Sequence, residues 1–221
     1  MAVLMARMLG SPILPTRLSD VREGSFVYLE ENGVAVPYLV AKHNYEPTYN
    51  ENRTMLVRKY ANGTTSVWGA AYTDKWNNST LFATLQEHLS RFSEKLQAAI
   101  GSTSYEYTET GTTVGVMSSA IFSPSVNELA GAGNYSNNEG TLIASLEAVL
   151  DYFDESGANR AYWTRSACKS QSSSYSANYI TSAAAVARAK FSTAYYMMVA
   201  LSLPGDMFID KDTMSVREEL L

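Results

Sequence analysis

The residues able to do chemistry are few and scattered along this chain. His43 and His88 are the only histidines, and they lack the His-Glu-x-x-His or paired-ligand spacing that brings two imidazoles to one metal. His88 falls beside Leu85 and Leu89 on an amphipathic run and His43 follows an alternating segment, so both are expected to be structural. Cys168 is the only cysteine, which excludes an intramolecular disulfide and any paired-cysteine metal motif. Its neighbour Lys169 is the single feature that would favour a thiolate, and burial as a small side chain is the expected fate. Asn137-Asn138-Glu139 carries oxygen ligands of the type calcium takes, but asparagine, glycine and glutamate in a loop also make turns, and a turn is expected. Glu30-Glu31 and Asp154-Glu155 sit in turn-like contexts and read as solvated charge. Gly131-Ala132-Gly133 follows a helical run instead of a strand, so it fails the context of a nucleotide loop. The expectation is no catalytic set, no metal and no cofactor.

What remains is a segment biased to Ser, Ala and Tyr over residues 166–195, with Lys169, Gln171, Tyr175, Asn178, Tyr179, Arg188, Lys190 and Tyr195 as candidate ligand-binding residues. Tyrosine offers large contact area at small entropic cost, and serine and asparagine offer adaptable hydrogen bonds, which is the composition of recognition surfaces. Leu and Val are largely replaced there by residues that bury poorly and bind well.

These side chains need a scaffold. Residues 161–167, Ala-Tyr-Trp-Thr-Arg-Ser-Ala, read as a short buried strand in which Tyr162 and Trp163 bury their rings while offering O–H and N–H to partners. Alternating segments at 178–181, 186–191 and 197–203 supply its neighbours, so the C-terminal third is expected to form the central sheet. Upstream, apolar runs at 26–29 and 34–41 flank Asn32-Gly33, the strongest short hairpin signal. Pro37 places the second strand at an edge or a bulge. A third strand at 54–59 is followed by Asn62-Gly63, and 65–68 is expected to return beside it. Leu81, Leu85, Leu89, Phe92, Leu96 and Ile100 recur every three or four residues, which predicts a helix over 78–101, with Ser93 able to cap a second helix if the run breaks near Arg91. Tyr105 and Tyr107 alternate with polar residues and predict a solvent-facing strand. Ser123-Pro124 opens a short helix that stops at Gly131. Residues 141–153 predict another.

The 221 residues are 46% apolar and 18% charged, ordinary for one globular domain. Net charge of -5 opposes the counterion release that drives nucleic-acid binding. Arg7, Gly10 and Pro12 interrupt the apolar N-terminus, so it predicts no signal peptide, and no run is long enough to cross a bilayer. Residues 1–24 read as an apolar assembly arm, 25–207 as the domain, and 208–221 as a polar tail.

Residues 24–45 (GSFVYLEENGVAVPYLVAKHNY), the Phe-x-x-Ser-x-x-Glu-Leu run at 122–129, Asn138-Glu139-Gly140, the Tyr-Trp-x-Arg-Ser run at 162–166 and Ala-Leu-Ser-Leu-Pro at 200–204 resemble an uncharacterised domain family common in gut bacteria and their phages. The last part of that family is similar to the C-type-lectin-like fold shared by formylglycine-generating enzymes and the variable display proteins of diversity-generating retroelements. The resemblance implies a single α+β, C-type-lectin-like domain with a mixed or antiparallel sheet and two or three packed helices. Formylglycine generation with oxygen uses a cysteine pair, which this chain lacks. Where the family usually has Gly-Val-Arg-Pro, this chain has Tyr196-Met197-Met198-Val199, so no role of that arginine carries over, and the methionines suggest an adaptable apolar filling. The expected function is a non-enzymatic phage virion protein, made in the host cytoplasm. It would assemble with other virion subunits through its arm, form homo-oligomers, and bind a bacterial receptor or glycan; the structural alternative is capsid or tail decoration.

Overall fold

The computed structural model describes residues 16–61, 63–71, 75–131, 133, 135–150, 154, 156–172, 174 and 176–220. The fold is a sheet-rich α+β arrangement. Strands β1 (Thr16–Arg17), β2 (Phe26–Glu31), β3 (Val34–Lys42), β4 (Arg53–Arg58) and β5 (Thr65–Val67) precede the helices α1 (Thr80–Glu87) and α2 (Glu94–Ile100). The hairpin β6 (Thr103–Thr110) and β7 (Thr113–Ser119) leads to α3 (Val126–Ala130), and then come β8 (Tyr162–Ala167), β9 (Ala177–Ile180), β10 (Val186–Ala189), β11 (Ala194–Met197), β12 (Ala200–Pro204) and β13 (Phe208–Ile209).

Two sheets dominate. A five-stranded mixed sheet has the order β10-β9-β8-β11-β5, and a four-stranded antiparallel sheet has the order β12-β4-β3-β2. The 161–167 stretch is the central strand of the first, and all six residues of β8 are buried. Trp163 is fully buried, and its indole N–H donates to the Ser66 carbonyl at 2.9 Å. The sheet does draw β8–β11 from the C-terminal third, but β5 closes its edge by pairing with β11 and not with β4, while β12 crosses to the other sheet.

Asn32 and Gly33 turn the β2–β3 hairpin with φ of 51° and 81°, the positive pair that a tight turn of this hand demands. Pro37 lies in an interior strand, contrary to the edge expectation. It sits one residue beyond the β3–β4 ladder, which begins at Tyr38↔Arg58, so its missing N–H removes no bond to β4. The leucine run breaks where Ser93 predicted. The Ser79 hydroxyl accepts from Phe82 N at 3.0 Å to start α1, and the Ser93 hydroxyl accepts from Leu96 N at 3.1 Å to start α2 after a 3-10 turn at His88–Arg91. Leu81, Leu85, Phe92, Leu96 and Ile100 pack into the core.

Three expectations are corrected. Tyr105 and Tyr107 are buried, because the Tyr105 hydroxyl meets Trp76 Nε1 at 2.9 Å and Ser119 Oγ at 2.8 Å, leaving its ring free to stack on Phe122. The 141–153 helix is reduced to a 3-10 turn at Ala144–Val149: Ile143 N donates to the Glu128 carbonyl at 2.9 Å, which holds Ile143 extended; residues 151–153 lie outside the described residues. The described part of the arm and the tail both belong to the domain. β1 pairs with β13, Leu18 and Val21 are core, and Tyr28 N donates to the Met214 carbonyl at 2.9 Å. Deleting residues 1–22 would therefore remove core, and a test of the arm must stop before Thr16.

Candidate functional site

The layer beneath the candidate residues holds a buried charge. Arg165, on β8, is fully buried and reaches Glu128 with both ends of its fork, Nη1 to Oε2 at 2.6 Å and Nη2 to Oε1 at 2.9 Å. Its Nε donates to the Glu106 carbonyl at 2.8 Å and Nη1 to the Ser123 carbonyl at 3.1 Å. Burial alone would push the guanidinium down, and the Glu128 carboxylate more than reverses this. The Tyr45 hydroxyl donates to Glu128 at 2.7 Å, and burial followed by that carboxylate raises the phenol.

Glu128 also closes the start of α3. The Ser125 hydroxyl accepts from Glu128 N at 3.1 Å while Ser125 N donates to Glu128 Oε2 at 2.9 Å, a reciprocal cap that satisfies two otherwise orphaned donors. The cap is thus Ser125 and not Ser123, whose hydroxyl instead donates to the Trp163 carbonyl at 3.2 Å. Ser125→Ala is expected to cost about 1–2 kcal/mol, read as a lowered urea midpoint with an unchanged m value.

Glu139 is the other acid of this layer. Its carboxyl accepts from Thr108 N at 2.8 Å and from the Thr108 and Ser166 hydroxyls. Burial pushes it up to about 7, against the opposing pull of Arg165 and these donors. The Asn137-Asn138-Glu139 loop therefore turns its acid inward. Glu31 is likewise not solvated: it takes Arg58 Nε at 2.8 Å, with His88 Nε2 at 3.4 Å and Arg91 at 3.6 Å. Burial would raise its carboxyl, but His88 and Arg58 hold it down at about 2. His43 Nε2 donates to the Val21 carbonyl at 2.7 Å, which leaves Nδ1 to accept from Thr54 at 3.0 Å. Cys168 is buried, and burial pushes its thiol up to about 12. Among the described residues no three His, Cys, Asp or Glu are grouped to hold a metal ion.

The eight candidate residues do not form one surface. Tyr179 and Tyr195 lie on one face of the five-stranded sheet, their rings stacked at 4.2 Å and both edge-on to Trp163 at 5.9 and 5.0 Å. Register places Asn178 opposite Arg188, on the other face. Asn178 is fully buried and its amide is used internally, donating to the Ser166 carbonyl at 3.1 Å and the Ala167 carbonyl at 3.2 Å. It holds β8 to β9 and cannot be displayed. Gln171 is half-buried and donates to the Ser176 carbonyl at 3.3 Å, and Lys190 is exposed. Tyr175 lies outside the described residues.

Arg188 and Lys169 converge on a residue that sequence reasoning missed. The Arg188 guanidinium lies 3.8 Å from the centre of the Tyr135 ring, and Lys169 N donates to the Tyr135 carbonyl at 3.0 Å. Tyr135 is 41% exposed, so the stack is not sealed in the interior. Next to it Lys169, Asn137, Asn138, Thr112 and Val114 line an open groove of about 310 Å³. Asn137 is buried and braces the groove wall by donating to Thr108 Oγ1 at 3.0 Å and the Gly111 carbonyl at 2.9 Å. A tyrosine in a Gly- and Asn-rich loop carried one signal, a large ring with no apolar partner nearby in sequence.

Fold and site define a sheet-rich α+β domain whose interior charges are neutralised within the core and whose amphipathic side chains border a surface groove. The chain belongs to the DUF6273 family, a domain of unknown function, whose model matches residues 51–205. The match starts beside β4, so the β2–β3 hairpin that completes the four-stranded sheet precedes it. No curated protein and no solved structure matches the chain. Among the described residues no helix is long and apolar enough to cross a membrane.

Proposed function

We propose that this chain is a non-catalytic recognition domain of a phage virion, with a lectin-like scaffold, that holds a bacterial surface glycan in the groove beside Tyr135. The observation that carries the reading is the part-exposed Tyr135–Arg188 stack, whose Tyr135 carbonyl takes the Lys169 N–H at the edge of the groove that Lys169 and Asn138 line. A flat ring backed by a guanidinium is a stacking surface for the C–H face of a sugar, and amides and an ammonium supply directional donors to its oxygens. The half-buried Tyr179–Tyr195 pair lies on the opposite face of the sheet from Arg188 and takes no part in that groove. Assembly through residues 1–15 and homo-oligomerisation belong to the same proposal.

The test is binding of the full chain to an array of bacterial envelope polysaccharides, alongside Tyr135→Ala. Retention of wild type on a subset of glycans is expected, with Tyr135→Ala losing about 1–2 kcal/mol of affinity, an ordinary anchor effect, while its thermal midpoint stays put. Retention on none of the glycans, or equal binding by the variant, rejects the reading in favour of a structural decoration role.

A further inference from the structure

We infer that the groove's ligand is anionic: a carbohydrate polymer bearing carboxylate or phosphate groups. The inference rests on the recognition reading above and adds the chemistry of the partner. Residues 156–205 contain Arg160, Arg165, Lys169, Arg188 and Lys190 and no Asp or Glu, in a chain whose net charge is -5. The acids are therefore concentrated outside this stretch of the sequence.

Inside that stretch the basic groups fall into two sets. Arg165 is neutralised by Glu128 and Arg160 by Asp154, each at 2.6 Å. Lys169 and Lys190 have no acidic partner among the described residues; Arg188, which stacks on Tyr135, is counted in neither set. No carboxylate lines the groove that Lys169 enters, and Glu139, the acid next to Asn138 in sequence, faces Thr108 and Ser166 instead. Lys169 is half-buried as a residue, and an ammonium without a counter-charge gains from an anion brought by a ligand. Asn138 and Thr112 are neutral groups that fit the hydroxyls flanking such an anion. A nucleic acid would need a longer row of bases along its phosphates and would meet repulsion from the rest of the chain.

The experiment measures equilibrium binding of the full chain to four probes: oligogalacturonate, poly(glycerol phosphate), dextran, and a single-stranded DNA oligonucleotide. Wild type is expected to bind one of the two charged polymers at least about tenfold more tightly than dextran, and which one it prefers separates carboxylate from phosphate. Raising salt well above physiological strength shrinks the screening length below about 8 Å and should weaken that binding. Lys169→Gln is expected to lose about tenfold, and Lys211→Gln, an equal charge change at an exposed site outside the groove, to lose nothing. Dextran bound as tightly as the charged polymers, or an unaffected Lys169→Gln, overturns the anionic inference and leaves glycan recognition standing. So does retention on the envelope array with neither charged polymer bound. DNA bound most tightly removes the carbohydrate assignment, and failure on both probes and array removes the recognition reading itself.

Discussion

Glu128→Gln is expected to lower the free energy of unfolding by about 3–5 kcal/mol, the largest single effect in the molecule. The substitution keeps the shape of the side chain and removes only its charge, so the fully buried Arg165 guanidinium loses the carboxylate held by both ends of its fork, with Glu139 the remaining acid near it. An arginine cannot relieve that cost by deprotonating, as a lysine could. The amide also turns a donor toward either Arg165 or the Tyr45 hydroxyl, each of which needs an acceptor. Urea titration of the single variant checks the magnitude. Changing both partners, Glu128→Leu with Arg165→Met, separates the two parts of the argument, because removing both charges is expected to cost much less than stranding one. If the single variant loses under 1 kcal/mol, water reaches Arg165 and the description of a dry, neutralised layer is wrong.

That pair also marks where sequence reasoning stopped. Local signals were legible because their cause is local: Asn32-Gly33 supplies its own positive φ, Ser93 caps its own helix, and the rings of Tyr162 and Trp163 announce a buried strand. Arg165 lies in the stretch read as a short buried strand, and nothing within several residues supplies its guanidinium with a partner. Its partner Glu128 is 37 positions away and Tyr45 lies 83 from Glu128, so neutralisation exists only once β8, α3 and the loop after β3 are packed together. Glu31 misled for the same reason, since a glutamate beside a hairpin turn is ordinarily solvated and this one meets Arg58 of β4 and His88 of the turn between α1 and α2. The candidate ligand residues were chosen by composition, which cannot tell the two faces of a strand apart. Asn178 and Tyr179 are adjacent in sequence and on opposite sides of the sheet. Tyr135 was missed because its significance comes from Arg188 and Lys169, both beyond the next strand.

Glu139 makes the second large prediction, a loss of stability as pH rises through neutrality. Its folded carboxyl is pushed by burial from the usual 4.5 to about 7, so between those values the folded chain holds a proton that the unfolded chain has released. Stability then falls as pH climbs from about 4.5 to about 7, by roughly 3 kcal/mol in all, and is flat above. The charged group facing it is Arg165 from β8, and Arg165 together with the uncharged donors Thr108 and Ser166 moderates the shift. Two other groups bend the same curve the opposite way. His88, lowered by burial, withdraws stability as pH falls below about 6.5, and Glu31, held at about 2 by His88 and Arg58 against burial, withdraws it as pH falls below about 4.5. The Glu139 contribution is therefore read as a difference between wild type and Glu139→Gln, which cannot ionise. The difference should be small near pH 5 and should grow in favour of the variant up to about pH 7.5, where Glu139 is charged and still buried. Thermal midpoints at half-unit pH steps provide the two curves. Parallel curves across pH 5–8 would mean that the donors from Thr108 and Ser166 already hold Glu139 ionised, with Arg165 shared between two carboxylates in place of one.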